Sequence, residues 1–423
     1  MVLDIMFITA YLGINALIWV TMYGIGRDRT AYEKIDSRSE PKGTNIYGLP
    51  RVSIVVPLYL ERPGSIMRTA ISISKQRYPR GLLEVVFVVE ESDTETLWGA
   101  ETAQKYLLEN GIRTNIYIVG GRRSSKARAL NAVLKFLEGE IIAVYDADDI
   151  LEEDQVSEAV KLMTIRGYDA VGVRVYRYGE SLLGKLVYID TVIWYDLIIS
   201  FLRRSGFHTP LSGEGLYIRK KILEEVGGFP EKLAEDAYLS LILFEKGYRI
   251  GLLDSYVEEA APKTISSHLR QRIRWYRGHL ECITRIIFHS SGKRLRTSIS
   301  YISPIIAVVS LLISIATMMT TSTYIARGGG QGDIYSGGQS SGTDPPRFQI
   351  RSPVVITLIA IFIESAAPLA VVALTVFSHR GSRDSRSLLP YTILLPLYWI
   401  LISVSALPAM VSRNVEWYRT RRA

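Results

Sequence analysis

Six carboxylates fall within twelve residues in AVYDADDILEED, positions 143 to 154, directly after an apolar run. The preceding EIIAVY reads as a buried strand, so Asp146 and Asp148 stand two apart at its end, where alternate side chains lean the same way. Converging there, they suit a hard cation, Mg2+ or Mn2+, of the kind that also takes ligands from substrate phosphates. Asp149 is expected to point elsewhere. The acidic first turn of a helix accounts for the same residues without a metal, and an isolated D-x-D carries little weight without its context. A calcium loop fits poorly, because Ile150, Leu151 and Glu152 stand where an EF-hand needs an oxygen ligand, a glycine and a spacer.

The context lies upstream and around the motif. SKARALNAVLKFLEG reads as a helix with a serine cap, and Lys126, Arg128 and Asn131 occupy its first turns. A helix N-terminus carrying cations is an anion site, although solvated basic residues would look the same. A nucleoside diphosphate bridging a metal and this helix accounts for both clusters together. Short β-branched runs (RVSIVVPLY, LEVVFVVEE, TNIYIVG, EIIAVYDADD) alternate with helical patterns from residue 51 onward, the second helix closing at Gly111. That alternation predicts an α/β domain with a mostly parallel, doubly wound sheet. Ligands of such sheets bind beyond the carboxyl ends of the strands. Three strand ends here carry polar groups: Tyr59 and Glu61; Glu90, Glu91 and Asp93; Asp146 and Asp148.

The set VVPLYLER, VVEESDTET, KARALNAVLKFLEGEIIAVYDADDILEEDQ, LSGEGLYIRKKILEEVGGFPEKLAEDAYLSLILFEKGYRI and EEAAPKTISSHLRQRIRWYRG resembles family 2 glycosyltransferases in motif order, from about residue 51 to 280. It looks most like the membrane-embedded branch of cellulose, hyaluronan and mannan synthases. The resemblance implies the GT-A (Rossmann-like) fold, an inverting reaction and a nucleotide-sugar donor, expected to be a UDP-hexose. It places Pro57, Tyr59 and Glu61 at the nucleotide, with Leu60 replacing the commoner asparagine. Glu91 or Asp93 would meet the nucleobase or ribose, with Glu90 and Glu91 standing where the family has an aspartate pair. Asp146 would lie near the ribose or diphosphate, with Lys126 and Arg128 also on the nucleotide side, and Asp148 would hold the metal. Asp236 in AED, with Glu235 beside it, matches the catalytic base, whose plain alternative is a helix cap. Gln271, Arg274 and Trp275 match Q-x-x-R-W.

The physical roles are consistent with those positions. Inverting transfer needs one base for the acceptor hydroxyl and cations for the leaving diphosphate. Gly213 and Gly215 allow a sugar to approach the backbone, and Glu214 between them is either a sugar ligand or a loop charge. Trp275 offers a flat face to a pyranose and Arg274 a planar fork to phosphate oxygens. An amphipathic helix on a bilayer would show the same basic and apolar mixture.

The remainder of the chain speaks for a membrane. Of 423 residues, 48% are hydrophobic, and four apolar segments near 4 to 24, 299 to 320, 353 to 378 and 388 to 411 approach the ~20 residues needed to span the hydrocarbon core. Expected organisation is an N-terminal anchor over 1–25, a GT-A domain over 48–278, an interfacial helix over 279–298, membrane helices over 299–411 with an external Gly/Ser-rich loop at 321–352, and a basic tail over 412–423. Arg27, Arg29, Lys34, Arg38 and Lys42 after the first segment place residues 25 to 298 in the cytosol of a multi-pass cell-membrane protein. Three further spans would export the tail, although its four arginines favour the cytosol. The net charge of +8 sits largely beside the apolar segments, so anionic lipid is the nearer partner and nucleic acid is not expected. A single cysteine, Cys282, excludes an internal disulfide or cysteine zinc cluster.

The acceptor is expected to be a growing polysaccharide, which the Q-x-x-R-W helix favours, or a lipid. Four membrane segments are few for a glycan channel unless chains associate as a homo-oligomer. A non-catalytic transporter or scaffold keeping a degenerate transferase domain is the reading of another class.

Overall fold

Four buried runs form the parallel half of one eight-stranded sheet: β1 (Val52–Leu58), β2 (Leu83–Glu90), β3 (Arg113–Val119) and β4 (Ile141–Val144). Their order is β3-β2-β1-β4, with Leu58 opposite Val89 and Val144 opposite Val55. Near-continuous Val and Ile in β1 and β2 suit strands covered on both faces. The computed structural model describes residues 15–26, 31–35, 48–120, 125–289, 296–301, 353–379, 381, 383 and 385–411.

Three helices return the chain to this sheet. α1 (Pro63–Ser74) starts on Pro63, whose missing N–H costs nothing in a first turn. α2 (Thr94–Glu109) is capped by Asp93, which accepts from the Thr96 N–H, and ends at Gly111 with φ +75°. α3 (Lys126–Leu134) is capped by Ser125, as the sequence predicts. Being parallel, the four strands all bring their carboxyl ends to one sheet edge, together with the α3 N-terminus.

The sheet is mostly parallel, as the sequence predicts, but its second half carries two reversed strands. β5 (Ile150–Leu151) and α4 (Gln155–Ile165) follow the acidic turn, then β6 (Ala170–Tyr178). α5 (Leu182–Val192) continues through a π-helical stretch, Ile193–Ile199, to Arg204. β7 (Leu216–Arg219) then enters antiparallel between β4 and β6, and β8 (Ile250–Ala260) runs parallel to β6 and antiparallel to β5. The excursion through α5 leaves the sheet at the carboxyl end of β6 and re-enters beside the carboxyl end of β4, with Leu216 opposite Val144, so β7 runs antiparallel to both. The turn before β7 abuts the end of β4 through Gly215 N–H to the Val144 carbonyl, 2.9 Å. Gly215 has φ +67°, and a Cβ there would lie 2.2 Å from Val173 Cγ2, so this position demands glycine. The core fills both faces: Ile54, Val56 and Phe87 lie in one cluster with Ile66, Ala103 and Val160, whereas Val55, Val144 and Ile218 lie in the other with Leu130, Val187 and Leu197.

α6 (Glu235–Lys246) precedes β8, and α7 (Ile265–His289) follows it as one unbroken helix that runs through the expected boundary at 278/279. α8 (Pro353–Ser378) coincides with the third apolar segment. The fourth is broken at its prolines into a 3-10 stretch, Ser385–Leu394, and short helices Leu395–Ser403 and Ala406–Val411. Among the described residues, one helical stretch is long and apolar enough to cross a membrane, Ser385–Met410, and Ala366–Ser378 is a shorter apolar helix. Residues 15–26 of the first segment are helical, while most of the second, the loop at 321–352 and the tail at 412–423 lie outside the described residues. Beyond the first segment, Glu33 forms a parallel bridge to Leu253 and ties the following chain to β8.

Candidate active site

The loop after β1 is stapled to the start of α2. Both oxygens of buried Asp93 are engaged in that scaffold, one by the Thr96 N–H and the other by the Leu60 N–H. Thr96 Oγ1 also accepts from the Glu61 N–H at 2.7 Å. Leu60 adopts φ +52°, a left-handed conformation that asparagine tolerates far better than leucine. Pro57, Tyr59 and Glu61 are half-buried at this edge, and Glu91 is exposed at the neighbouring strand end. Of the two acids expected at the nucleobase or ribose, Asp93 therefore positions the loop and Glu91 faces solvent.

The acidic turn after β4 differs from the expectation in one residue. Asp149 does not point away: it is wholly buried and accepts the Asp146 N–H at 2.7 Å. β4 ends at Val144, so strand alternation no longer governs residues 146 to 149 and the turn folds Asp149 inward. Carboxylate oxygens of Asp148, Asp149 and Glu259 lie within 4.8 Å of one another, as do those of Asp146, Glu214 and Glu259. Burial and then the surrounding Asp146, Glu259, Glu214 and Asp148 charges push Asp149 far above the usual carboxylate range. An oxygen-only set of this kind fits Mg2+ or Mn2+. Asp149 Oδ1, which meets no hydrogen-bond partner among the described residues, is an acceptor such an ion would satisfy.

Lys126 reaches into this turn from the first residue of α3. Its Nζ lies 2.6 Å from Asp146 Oδ1 and 3.9 Å from Glu235 Oε1. Burial opposes its charge, but Asp146, Glu235 and Glu214 outweigh that cost and hold the ammonium above its ordinary range. Arg128 is exposed, and Asn131 is committed to a structural staple, exchanging two 2.8 Å hydrogen bonds with the Phe229 backbone.

Glu235 and Asp236 are the first two residues of α6; the N-cap is Ala234, so Asp236 is not the helix cap. Asp236 Oδ1 accepts the Ala237 N–H at 2.7 Å. A Cβ on Gly213 would stand 3.1 Å from Lys126 Nζ and 3.3 Å from Asp236 Oδ2, so the glycine turn is what lets these two groups lie together. Burial and then the Asp236 charge push Glu235 up to about 7, against the pull of Lys126. Burial and Glu214 raise Asp236 also, tempered by Lys126 and the backbone N–H groups of Ala237 and Gly213. A buried carboxylate with a raised proton affinity, set in an acidic cluster that Lys126 bridges, is equipped for general-base work.

On α7, Gln271 is 2% exposed and neither polar atom of its amide meets a partner among the described residues. Trp275 is not an open platform. The Arg177 guanidinium lies over its ring at 4.8 Å and that of Arg272 at 5.0 Å. Arg272 in turn pairs with Asp190 of α5. Arg177 also reaches Glu214 at 3.3 Å and pairs with Glu259, so Glu214 is a partner of a buried cation and not a loose loop charge. Arg274, the other basic residue of the motif, lies half-buried and helps to hold Glu235 down.

Sequence reasoning missed Arg177 and Glu259. Glu259 lies in EEAAPKT, a stretch that carries the resemblance, and its place opposite Arg177 in the β6–β8 register is the signal that only pairing supplies.

Two family models match the chain: glycosyl transferase family group 2 over residues 141–404, more than half its length, and glycosyl transferase family 2 over residues 53–227. The chain is 29% identical over 305 residues to "Probable glycosyltransferase YdaM" of Bacillus subtilis, covering 68% of this chain and 70% of that protein. It is 29% identical over 284 residues to beta-monoglucosyldiacylglycerol synthase of Trichormus variabilis, covering 63% of this chain and 59% of that protein. A solved mannosyltransferase, PcManGT from Pyrobaculum calidifontis in complex with GDP-Man and Mn2+, matches with TM-score 0.55 at 21% identity over 96% of this chain and 97% of that one, a likeness of fold. The strand order, the glycosyltransferase relatives and above all the extent of the family match lead to one conclusion: the chain belongs to glycosyl transferase family 2 and is a transferase with a GT-A-like α/β fold.

Proposed function

We propose that this protein is an inverting, membrane-associated glycosyltransferase that moves a hexose from a nucleoside diphosphate sugar, a UDP-hexose, to the hydroxyl of a membrane lipid. The observation that carries this reading is the single ammonium of Lys126 between Asp146 and Glu235. It joins the strand-end carboxylates suited to a donor to the acid pair suited to an acceptor.

In this reading Pro57, Tyr59, Glu61 and Glu91 line the nucleotide, and Lys126 and Arg128 face the diphosphate. Asp146 and Asp148 would hold Mg2+ or Mn2+, with Asp149 and Glu259 close enough to contribute. The ion, when bound, neutralises charge on the departing diphosphate. Asp236 takes the proton of the acceptor hydroxyl as that oxygen bonds to the anomeric carbon and the bond to the diphosphate oxygen breaks. Gly213 leaves room for the sugar beside Asp236, and buried Gln271 offers its unsatisfied amide to donor or acceptor. PcManGT, whose structure holds GDP-Man and Mn2+, supports a nucleotide-sugar donor with a divalent ion, and a screen of UDP- and GDP-sugars decides between the two nucleotides.

Two observations favour a lipid acceptor. Guanidinium groups cover the Trp275 ring that a polymer acceptor was expected to stack upon, and one relative is named for a glucosyldiacylglycerol product. A growing polysaccharide is the second reading, supported by the complete Gln271, Arg274 and Trp275 pattern. Full-length protein incubated with each nucleotide sugar, Mn2+ and membrane lipid extract decides the matter by nucleotide release and product mass. One added hexose on a lipid is expected. A ladder of sugars selects the polymer, and no release from any donor overturns the proposal.

A further inference from the structure

Arg177 lies on β6, outside every motif that carries the family resemblance. It is 5% exposed, and its neighbours come from three different places: Glu259 on β8, Glu214 in the glycine turn, and the Trp275 ring on α7. Glu259 belongs to both carboxylate trios at the acidic turn, and Glu214 to one of them. The third member of that second trio, Asp146, is held by Lys126. Every carboxylate of the Asp146, Glu214 and Glu259 trio is thus already matched to a basic side chain. A divalent ion entering there competes with two built-in cations.

We infer that Arg177 is a positioning residue that acts as an internal counter-ion: it keeps the acidic cluster poor in metal until a nucleoside diphosphate arrives, and it ties the cluster to Trp275. The inference rests on the proposed donor and metal, but its mechanism is electrostatic and local. A buried guanidinium cannot lose its proton, so its repulsion of an incoming divalent ion persists at any working pH. A diphosphate relieves the competition in two ways. It supplies further oxygen ligands to the ion, and it offers Lys126 an alternative anion to Asp146. Metal and nucleotide therefore bind with mutual enhancement, by a factor that Arg177 enlarges; such coupling acts equally in both directions.

The test compares wild type, Arg177→Gln and Arg177→Lys as full-length protein in detergent. Mn2+ binding is measured by titration calorimetry, alone and with UDP or GDP present. Removing one unit charge beside a divalent site is expected to tighten binding of Mn2+ alone by about tenfold or more, even with strong screening. The enhancement of Mn2+ binding by nucleotide shrinks correspondingly in Arg177→Gln, while Arg177→Lys, which keeps the charge, stays close to wild type. A merely structural role would instead weaken Mn2+ binding or leave it unchanged in Arg177→Gln, and either result overturns the inference. Should Arg177→Gln fail to fold without metal, recovery of folding on adding Mn2+ supports the same inference, and no recovery overturns it. The Mn2+-alone measurement stands apart from the functional reading: wild type that binds neither UDP nor GDP sinks the donor assignment and still leaves Arg177 decided.

Discussion

Glu235→Gln probes the acid pair at the start of α6 most directly, because its size and sign follow from burial. In the folded protein Glu235 keeps its proton up to about pH 7, against an ordinary value of 4.5. The folded state therefore binds more protons than the unfolded chain between these two values, and stability falls as pH rises through that window. Above about pH 7 the full cost is present; below about 4.5 it vanishes. At 1.36 kcal/mol per pH unit the cost reaches about 3 kcal/mol. A glutamine has no charge to desolvate, so the variant should be more stable than wild type by up to about 3 kcal/mol at pH 8 and equal to it near pH 4.5. Lys126 loses a contact at 3.9 Å but keeps Asp146 at 2.6 Å, so little is subtracted. For a domain of this size the gain corresponds to a melting temperature higher by roughly 6 to 12 °C. Thermal unfolding of metal-free protein at the two pH values reads it. A variant no more stable than wild type at pH 8, or equally improved at both pH values, refutes the reasoning that burial and the Asp236 charge raise the proton affinity of Glu235.

Asp236→Asn should lower transfer by about 10²-fold or more, the usual span of a general base, with nucleotide affinity nearly unchanged in calorimetric titration; near-normal transfer moves the base to another acid. Asp148→Asn should weaken nucleotide binding and transfer together, because an amide cannot balance the charge of the divalent ion that Asp148 would hold, and exhaustive chelation should abolish transfer by wild type. Full activity after chelation removes the metal from the reaction. With Cys282 replaced by serine, a cysteine at position 340 should react with an impermeant reagent in intact cells, as the charge pattern around the apolar segments predicts; reaction only after permeabilisation reverses the topology.

The local elements and the sheet edge that gathers the site were legible in the residues alone. Alternating buried strands and capped helices are set by near-neighbour patterns, so β1 to β4, the Ser125 cap and the Gly111 stop follow from the sequence, and parallel strands must bring Tyr59, Glu91 and Asp146 to one edge. The Asp236 position and the Q-x-x-R-W helix were visible through resemblance, and the α8 bounds through an unbroken apolar run. Pairing between distant segments was not legible. The antiparallel entry of β7 depends on where a long excursion returns, which no local period encodes. The same is true of the inward turn of Asp149, since the strand ends two residues before the motif begins. Arg177 and Glu259 carry no signal of their own in the sequence, and Glu214 reads there as a sugar ligand or a loop charge, not as the partner of a buried arginine. Only the β6–β8 register and the glycine turn bring them together around one guanidinium, beneath an indole that looks open on paper and is covered in the fold.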